Sequence, residues 1–149
     1  MKINIASGGK DIDGYLNVDD IIYPLTYENL DEIRASHILE HFGHVESLAV
    51  LINWVDALKV GGILKIAVPD LDDLMRRRAL GETWEYEGIL MGGQVDNRDY
   101  HKSIWNYEKL NYFMTKLDLD DIKTWQSEIM DCAAYPFSLN LQGRKTWVQ

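Results

Sequence analysis

The chain carries a single cysteine, Cys132, and three prolines in 149 residues. One cysteine closes no internal disulfide and builds no thiolate zinc cluster, so Cys132 is expected to be a small buried hydrophobe. Basic residues are also scarce: 15 lysines and arginines stand against 24 aspartates and glutamates, a formal charge of −9. Phosphate backbones are bound through clustered cations, and nucleic acid is therefore excluded as the expected partner. The one basic run, Arg76-Arg77-Arg78, has a structural explanation: it falls in the last turn of a helix begun by Asp70, with Asp72 and Asp73 in the first turn. No apolar run approaches the roughly 20 residues that cross a bilayer. The start, MKINIASGGK, has too short an apolar stretch for a signal peptide. The expectation is one domain over residues 1–149, cytoplasmic, without a membrane partner.

What is present is an alternation of strand and helix signals. Lys2 to Ala6 is a short β-branched run that breaks at Ser7-Gly8-Gly9, predicting a strand that enters a glycine turn able to cradle an anion. The nicotinamide fingerprint GxGxxG is not met, because its window holds Ala6, Gly8 and Asp11. Tyr15 to Asp19 reads as a second strand ending on two carboxylates, Asp19 and Asp20. In open α/β sheets ligands bind beyond the carboxyl ends of strands, where Asp19 is placed to accept hydrogen bonds from ribose hydroxyls. About eight residues separate these strands, too few for a crossover helix, which is expected to be short or missing. Between Ile21 and Leu30 the pattern is weak, and Tyr23 and Leu25 are candidates to wall a flat ring.

Asp31 to His41, DEIRASHILEH, is a strand that runs into a cluster of Ser36, His37, Glu40 and His41. Val45 to Leu58 is predicted to be an amphipathic helix with Leu48, Leu51, Ile52, Val55 and Leu58 inward, stopped by Lys59 and Gly61-Gly62. Ile63 to Val68 is apolar at nearly every position, as in a buried parallel strand. These three elements make a βαβ unit. Asp70 to Leu80 is a helix with Leu71, Leu74 and Met75 on one face, and Asn106 is the N-cap of another reaching Leu117. Glu82 to Trp105 lacks regular pattern; Gly92 and Gly93 permit a hinge, and a loop of this length reads as a substrate-side lid carrying His101. Asp121 to Trp125 and Phe137 to Leu141 form a closing antiparallel pair, with Gly143 at a bulge or turn before Lys145 to Val148.

Three chemistries remain open on these residues. His37-x-x-Glu40-His41 matches the HxxEH pattern of inverted zinc peptidases, which needs a continuous helix through the motif and a further ligand, for which His44 is a candidate. Alternatively the strand ends hold a nucleotide-type cofactor, with His41 or His101 as a proton acceptor near neutral pH. A binding module that holds such a cofactor without catalysis is the third.

Taken in order, KINIASGGKDIDGYLNVDD, LDEIRASHILEHF, LKVGGILKIAVPDL and GGQ followed by His101 resemble the small class I S-adenosylmethionine-dependent methyltransferases of type 11. The resemblance spans about Lys2 to Lys145. It implies an α/β fold: a three-layer Rossmann-like sheet, mostly parallel with an antiparallel last strand. It implies S-adenosylmethionine as cofactor and a small-molecule acceptor, hydroxyl-bearing or a sugar, and leaves a homodimer open. By the same resemblance the glycine loop maps to Ala6-Ser7-Gly8, the ribose acid to Asp19, and the end of the central strand to Ser36, His37, Leu39 and His41. His101 takes the place of a histidine facing the acceptor. No metal ligand is implied. The chain departs from the pattern at Ala6, where a glycine is usual, at Asn4, where an acid is usual, and between Ile21 and Leu30, where a third strand is usual.

Overall fold

Alternate residues of four adjacent strands are apolar in register, and that alignment builds the core. Ile3 and Ile5 pair with Ile33 and Ala35, these with Leu64 and Ile66, and Ile66 and Val68 with Leu141 and Leu139. A computed structural model describes residues 1–21 and 23–147. Its strands are β1 (Lys2–Ile5), β2 (Tyr15–Val18), β3 (Leu30–Ser36), β4 (Leu58–Pro69), β5 (Leu119–Thr124) and β6 (Ser138–Lys145). They form one six-stranded sheet in the order β2-β1-β3-β4-β6-β5, parallel except at β6, which runs antiparallel to both neighbours. The helices are α1 (Ser47–Ala57), α2 (Leu71–Ala79), α3 (Tyr86–Met91) and α4 (Tyr107–Lys116). As expected, β1 and β2 are joined by turns without a helix, and no third strand lies between β2 and β3 among the described residues. No helix of the described residues is long and apolar enough to cross a membrane.

The α/β class, the mostly parallel Rossmann-like sheet and its antiparallel last strand are all present. Helices α1 and α4 share one cluster with the apolar face through Val50, Leu51, Trp54, Val55, Leu110 and Met114. The opposite face is polar. Asn4, Arg34, Lys65 and Gln142 lie across it in register, beside Lys2 and Glu32. No helix can bury against such a face without stranding charges, and the segment around Trp125 to Ala133 covers part of it instead. Trp125 donates its indole N–H to the carbonyls of Ile66 and Leu141 and receives the Arg34 guanidinium at 5.1 Å from its ring centroid. Arg34 also bonds Asn4 Oδ1 at 3.2 Å, Ser127 Oγ at 3.0 Å and the Asp131 carboxylate at 2.6 Å.

Several local expectations shift. Helix α1 turns Ser47, Val50, Leu51, Trp54, Val55 and Ala57 inward and leaves Leu48 and Ile52 exposed. The helix is apolar nearly all round, so periodicity alone does not fix its rotation; burial of Trp54 does. Lys59 and Gly61-Gly62 do not stop the helix but open β4, where a side chain at Gly62 would meet the Leu30 carbonyl at 2.8 Å. Helix α2 has Asp70 as its N-cap, but only Leu74 is buried and Met75 is exposed. Asn106 caps α4 as expected. Strand β6 runs through Gly143, whose missing side chain makes room for Leu119 and Met114. The expectation at Val148 lies outside the described residues.

The Arg34–Asp131 pair is buried, with 4% and 7% of the two side chains exposed. Burial alone would raise the Asp131 carboxyl, but the bonds from Arg34 and Ser127 outweigh it and hold the group below its ordinary 3.8. The stability this supplies is present above the unfolded value and is lost as pH falls through the lower folded value. Arg34→Met leaves Asp131 buried and unpaired and is expected to cost about 3–5 kcal/mol at neutral pH. Urea unfolding at pH 7 and pH 3 checks it: the difference between variant and wild type should shrink at the lower pH.

Candidate active site

Two strands leave the sheet through a left-handed residue. Ala6 follows β1 with φ 50° and His37 follows β3 with φ 55°. The turn after Ala6 continues through Gly8 and Gly9, also at positive φ, and nothing lies within 4 Å of where their side chains would be. Asp19 closes this turn: its Oδ1 accepts from Gly9 N at 2.9 Å and from Ser7 Oγ at 3.4 Å. Asn4 ties the turn to the sheet, donating to the Lys10 carbonyl and to Asn17 Oδ1 at 3.1 Å each.

These groups edge a cavity of about 350 Å³ whose walls include Ala6, Ser7, Gly8, Ser36 and His37. Ser36 Oγ is buried in it without a hydrogen bond among the described residues. The far wall is the 130–135 segment, with Met130, Asp131, Cys132 and Tyr135. Cys132 is exposed, not a buried hydrophobe, because the segment carrying it crosses the polar face of the sheet and faces the cavities.

A second cavity of about 320 Å³ shares His37, Cys132 and Tyr135 with the first and is completed by Glu40, His41, Glu85, Asp99 and His101. At its floor Glu40 is 1% exposed, and neither carboxylate oxygen has a hydrogen-bond partner among the described residues. His37 Nδ1 lies 3.4 Å and His101 Nε2 3.9 Å from Glu40 Oε1. The rings of His41 and His101 meet edge to face at 4.8 Å. Lys102 N and Ser103 N donate to the Glu40 carbonyl at 2.7 and 3.2 Å, which fixes His101 beside Glu40.

The loop before His101 is fastened rather than hinged. A side chain at Gly92 would lie 2.2 Å from the Asp99 carbonyl, so its glycines serve close packing. Arg98 reaches Asp20 at 3.3 Å on the surface, and its carbonyl bonds His41 Nδ1 at 2.8 Å.

The sequence-predicted residues thus divide. Ala6, Ser7, Gly8, Ser36 and His37 line the first cavity, His41 and His101 the second. Asp19 stands behind the glycine turn, and Asp20 is an exposed partner of Arg98. Leu25 is not at either cavity: it is buried in the core, its N–H bonded to Asn53 Oδ1 at 2.7 Å, near the end where β3 and β4 begin. Tyr23 packs on Phe42 and is largely exposed. The zinc peptidase pattern fails on backbone grounds, since only the single 3-10 turn Leu39–His41 is helical and His37 precedes it in the left-handed region. Reading by motif missed Arg34 and Asp131. A charge at the middle of a buried strand was the visible signal for Arg34; Asp131, 97 positions away, had none.

No family model and no curated protein matches the sequence. Solved structures do match in fold. A SAM-dependent methyltransferase from Archaeoglobus fulgidus superposes with a TM-score of 0.55 at 16% identity, over 91% of this chain and 71% of that one. A SAM-dependent methyltransferase from Thermotoga maritima gives 0.56 at 16%, over 89% and 65%. The Burkholderia thailandensis 1,6-didemethyltoxoflavin-N1-methyltransferase, with S-adenosylhomocysteine bound, gives 0.52 at 14%, over 89% and 51%. The fold is that of the class I S-adenosylmethionine-dependent methyltransferases. The chain spans 71%, 65% and 51% of the length of these three structures.

His101 is held below its ordinary 6.5, first by burial, with the Glu40 carboxylate pulling partly the other way. It is therefore neutral at pH 7, and the stability tied to its neutral form is lost as pH falls below the unfolded value through the folded one. NMR titration in chelator-treated buffer should give a midpoint below 6.5, lowered further in Glu40→Gln; a midpoint above 6.5 contradicts the burial.

Proposed function

We propose that the chain transfers a methyl group from S-adenosylmethionine to a small hydroxyl-bearing acceptor. The observation that carries this reading is the pair of cavities meeting at His37, Cys132 and Tyr135, one bordered by the open glycine turn and the other by the buried Glu40 and histidine cluster. A module that only holds a cofactor has no use for the second.

The first cavity fits the cofactor: it lies within the size range of small-molecule sites, its glycine turn is open to close approach, and Ser36 Oγ is a buried polar atom awaiting a partner. Ala6 to Gly9 would approach the cofactor through backbone and Ser36 and His37 from the end of β3, while Asp19 would hold the glycine turn in shape from behind. When bound, S-adenosylmethionine supplies an electrophilic methyl carbon, to which the acceptor oxygen gives a lone pair while the carbon–sulfur pair returns to sulfur.

The remaining work belongs to the chain. The shared wall of Cys132 and Tyr135 holds the two reactants against each other, and such alignment is worth about 7–11 kcal/mol at best. His101 Nε2 is placed to take the hydroxyl proton as the new bond forms, and His41, its Nδ1 spent on the Arg98 carbonyl, keeps Nε2 toward solvent or acceptor. The fastened 92–99 loop and α3 cover this cavity and reduce competition from water.

Isothermal titration with S-adenosylhomocysteine tests the donor site. Binding is expected in the wild type, with a weakening of about tenfold or more in Asp19→Asn, which loses the carboxylate that Gly9 N and Ser7 Oγ donate to and so loosens the glycine turn. No binding by the wild type refutes the reading. With an acceptor found by screening hydroxylated molecules, His101→Ala should lower kcat by about 10²–10⁴-fold while leaving S-adenosylhomocysteine affinity unchanged; unaltered kcat removes it as base.

A further inference from the structure

The second cavity holds a buried carboxylate to which nothing among the described residues donates, and the protons of its neighbours can be followed one by one. Asn140 donates its amide N–H groups to the carbonyls of Ala133 at 2.8 Å and Trp125 at 3.3 Å, which leaves Oδ1 an acceptor. Ser138 Oγ, 2.7 Å away, must therefore spend its hydrogen on Asn140. The same oxygen lies 2.8 Å from His37 Nε2 and can only accept there, so Nε2 carries the hydrogen. That leaves a lone pair on His37 Nδ1, 3.4 Å from Glu40 Oε1. His41 Nδ1 faces the Arg98 carbonyl, also an acceptor, and so keeps its lone pair on Nε2. His101 directs Nε2 to Glu40 at 3.9 Å.

The result is a pocket of acceptors. One ligand atom each from Glu40, His41 and His101 lies within 4.8 Å of the others, and both Glu40 oxygens are buried without a donor. The 3.9 Å between His101 Nε2 and Glu40 Oε1 is too long for a hydrogen bond and suits groups that share a third body. A proton on His37 Nδ1 answers only Oε1; a cation among the three side chains answers them all. Metal-bound histidines characteristically have their second nitrogen fixed by a carbonyl or carboxylate, the arrangement His41 has here.

From this we infer that Glu40, His41 and His101 bind a divalent first-row transition-metal ion. Two imidazoles and one carboxylate suit zinc, iron(II), cobalt(II) or manganese, and three protein ligands leave positions open to the cavity. The binding itself is independent of methyl transfer. Its use rests on the function proposed above: an ion held by Glu40, His41 and His101 would act as a Lewis acid that makes a nearby acceptor hydroxyl more acidic, and His37 Nδ1, whose lone pair is free in this tautomer, would take the proton. His101 Nε2 would serve as ligand in the metal-loaded chain and as proton acceptor in the stripped chain, so the His101→Ala kcat test above is read on the chelator-stripped chain.

Cobalt(II) and zinc(II) titrations of the chelator-stripped full chain decide. The wild type should retain about one equivalent of zinc after dialysis, show a rise in Tm with zinc, and give visible cobalt(II) absorption bands of imidazole–carboxylate coordination. Glu40→Gln and His101→Ala, checked for folding by circular dichroism, should each weaken zinc binding by at least ~10-fold. His44→Ala, which removes an exposed histidine outside the cluster, should not. A wild type that retains no zinc and shows neither a Tm shift nor cobalt bands overturns the inference, as does binding lost in His44→Ala and kept in His101→Ala. The S-adenosylhomocysteine titration is read separately on the stripped chain, so failure of the donor site leaves the metal result standing.

Discussion

Arg34 is a charged residue in the middle of β3, and much of the molecule is arranged to keep it satisfied. It is 3% exposed, and its guanidinium meets Asn4, Ser127, Asp131 and the Trp125 ring. An unpaired guanidinium at that depth would cost more than one domain's stability easily carries, so the segment from Trp125 to Asp131 is drawn onto the sheet to pair it. Once Asp131 is fixed, Cys132 and Tyr135 follow, and they form the wall that both cavities share. A stability constraint in the central strand thereby shapes the place where the proposed reactants meet.

The other side of that wall is set by the turn that follows β3. Because Leu39–His41 is one 3-10 turn and not a longer helix, Glu40 points back under the strand end while His41 turns outward to the loop carbonyl of Arg98. Backbone bonds from Lys102 and Ser103 to the Glu40 carbonyl then bring the loop, and His101 with it, onto the same floor. Two segments sixty residues apart meet through main-chain hydrogen bonds, and side-chain chemistry rides on them. The buried carboxylate is tolerable only with positive charge close by, whether carried as protons or as an ion.

The fold was largely legible because it rests on periodicity and punctuation. The strands around Ile3, Ile33 and Ile66, the Asp70 and Asn106 caps and the missing first crossover helix follow from local rules that the structure obeys. The misses have physical causes. A helix apolar on nearly all sides, α1, gives no unique inward face, and its buried stripe lies about one residue from the one periodicity predicts. The polar character of the second sheet face was not legible because Asn4, Glu32, Arg34 and Lys65 belong to three different strands, and their alignment is visible only once register is known. At the site, residues next to strand ends landed at cavities, as the topology of an open α/β sheet requires. Leu25 did not, because an apolar residue in a patternless stretch is as well used in the core.

Backbone strain marks the same two strand ends independently. Ala6 and His37 each stand one residue beyond a parallel strand in the left-handed region, where a side chain costs roughly 1–2 kcal/mol. Glycine at Ala6 would relieve this, as it does at Gly8 and Gly9. The strain is held in place by what surrounds it: Ser7 N bonds the Val18 carbonyl at 2.9 Å, and His37 N bonds the Ala67 carbonyl at 2.8 Å, so the ladder continues past both kinks. At His37 the kink turns the ring off the line of the strand, bringing Nε2 to Ser138 and Nδ1 to Glu40. An extended backbone at position 37 would carry the ring along the strand and break that relay. Such conformations persist where the neighbours over-determine them, and their coincidence with the two cavity edges argues that the kinks serve the site rather than the sheet.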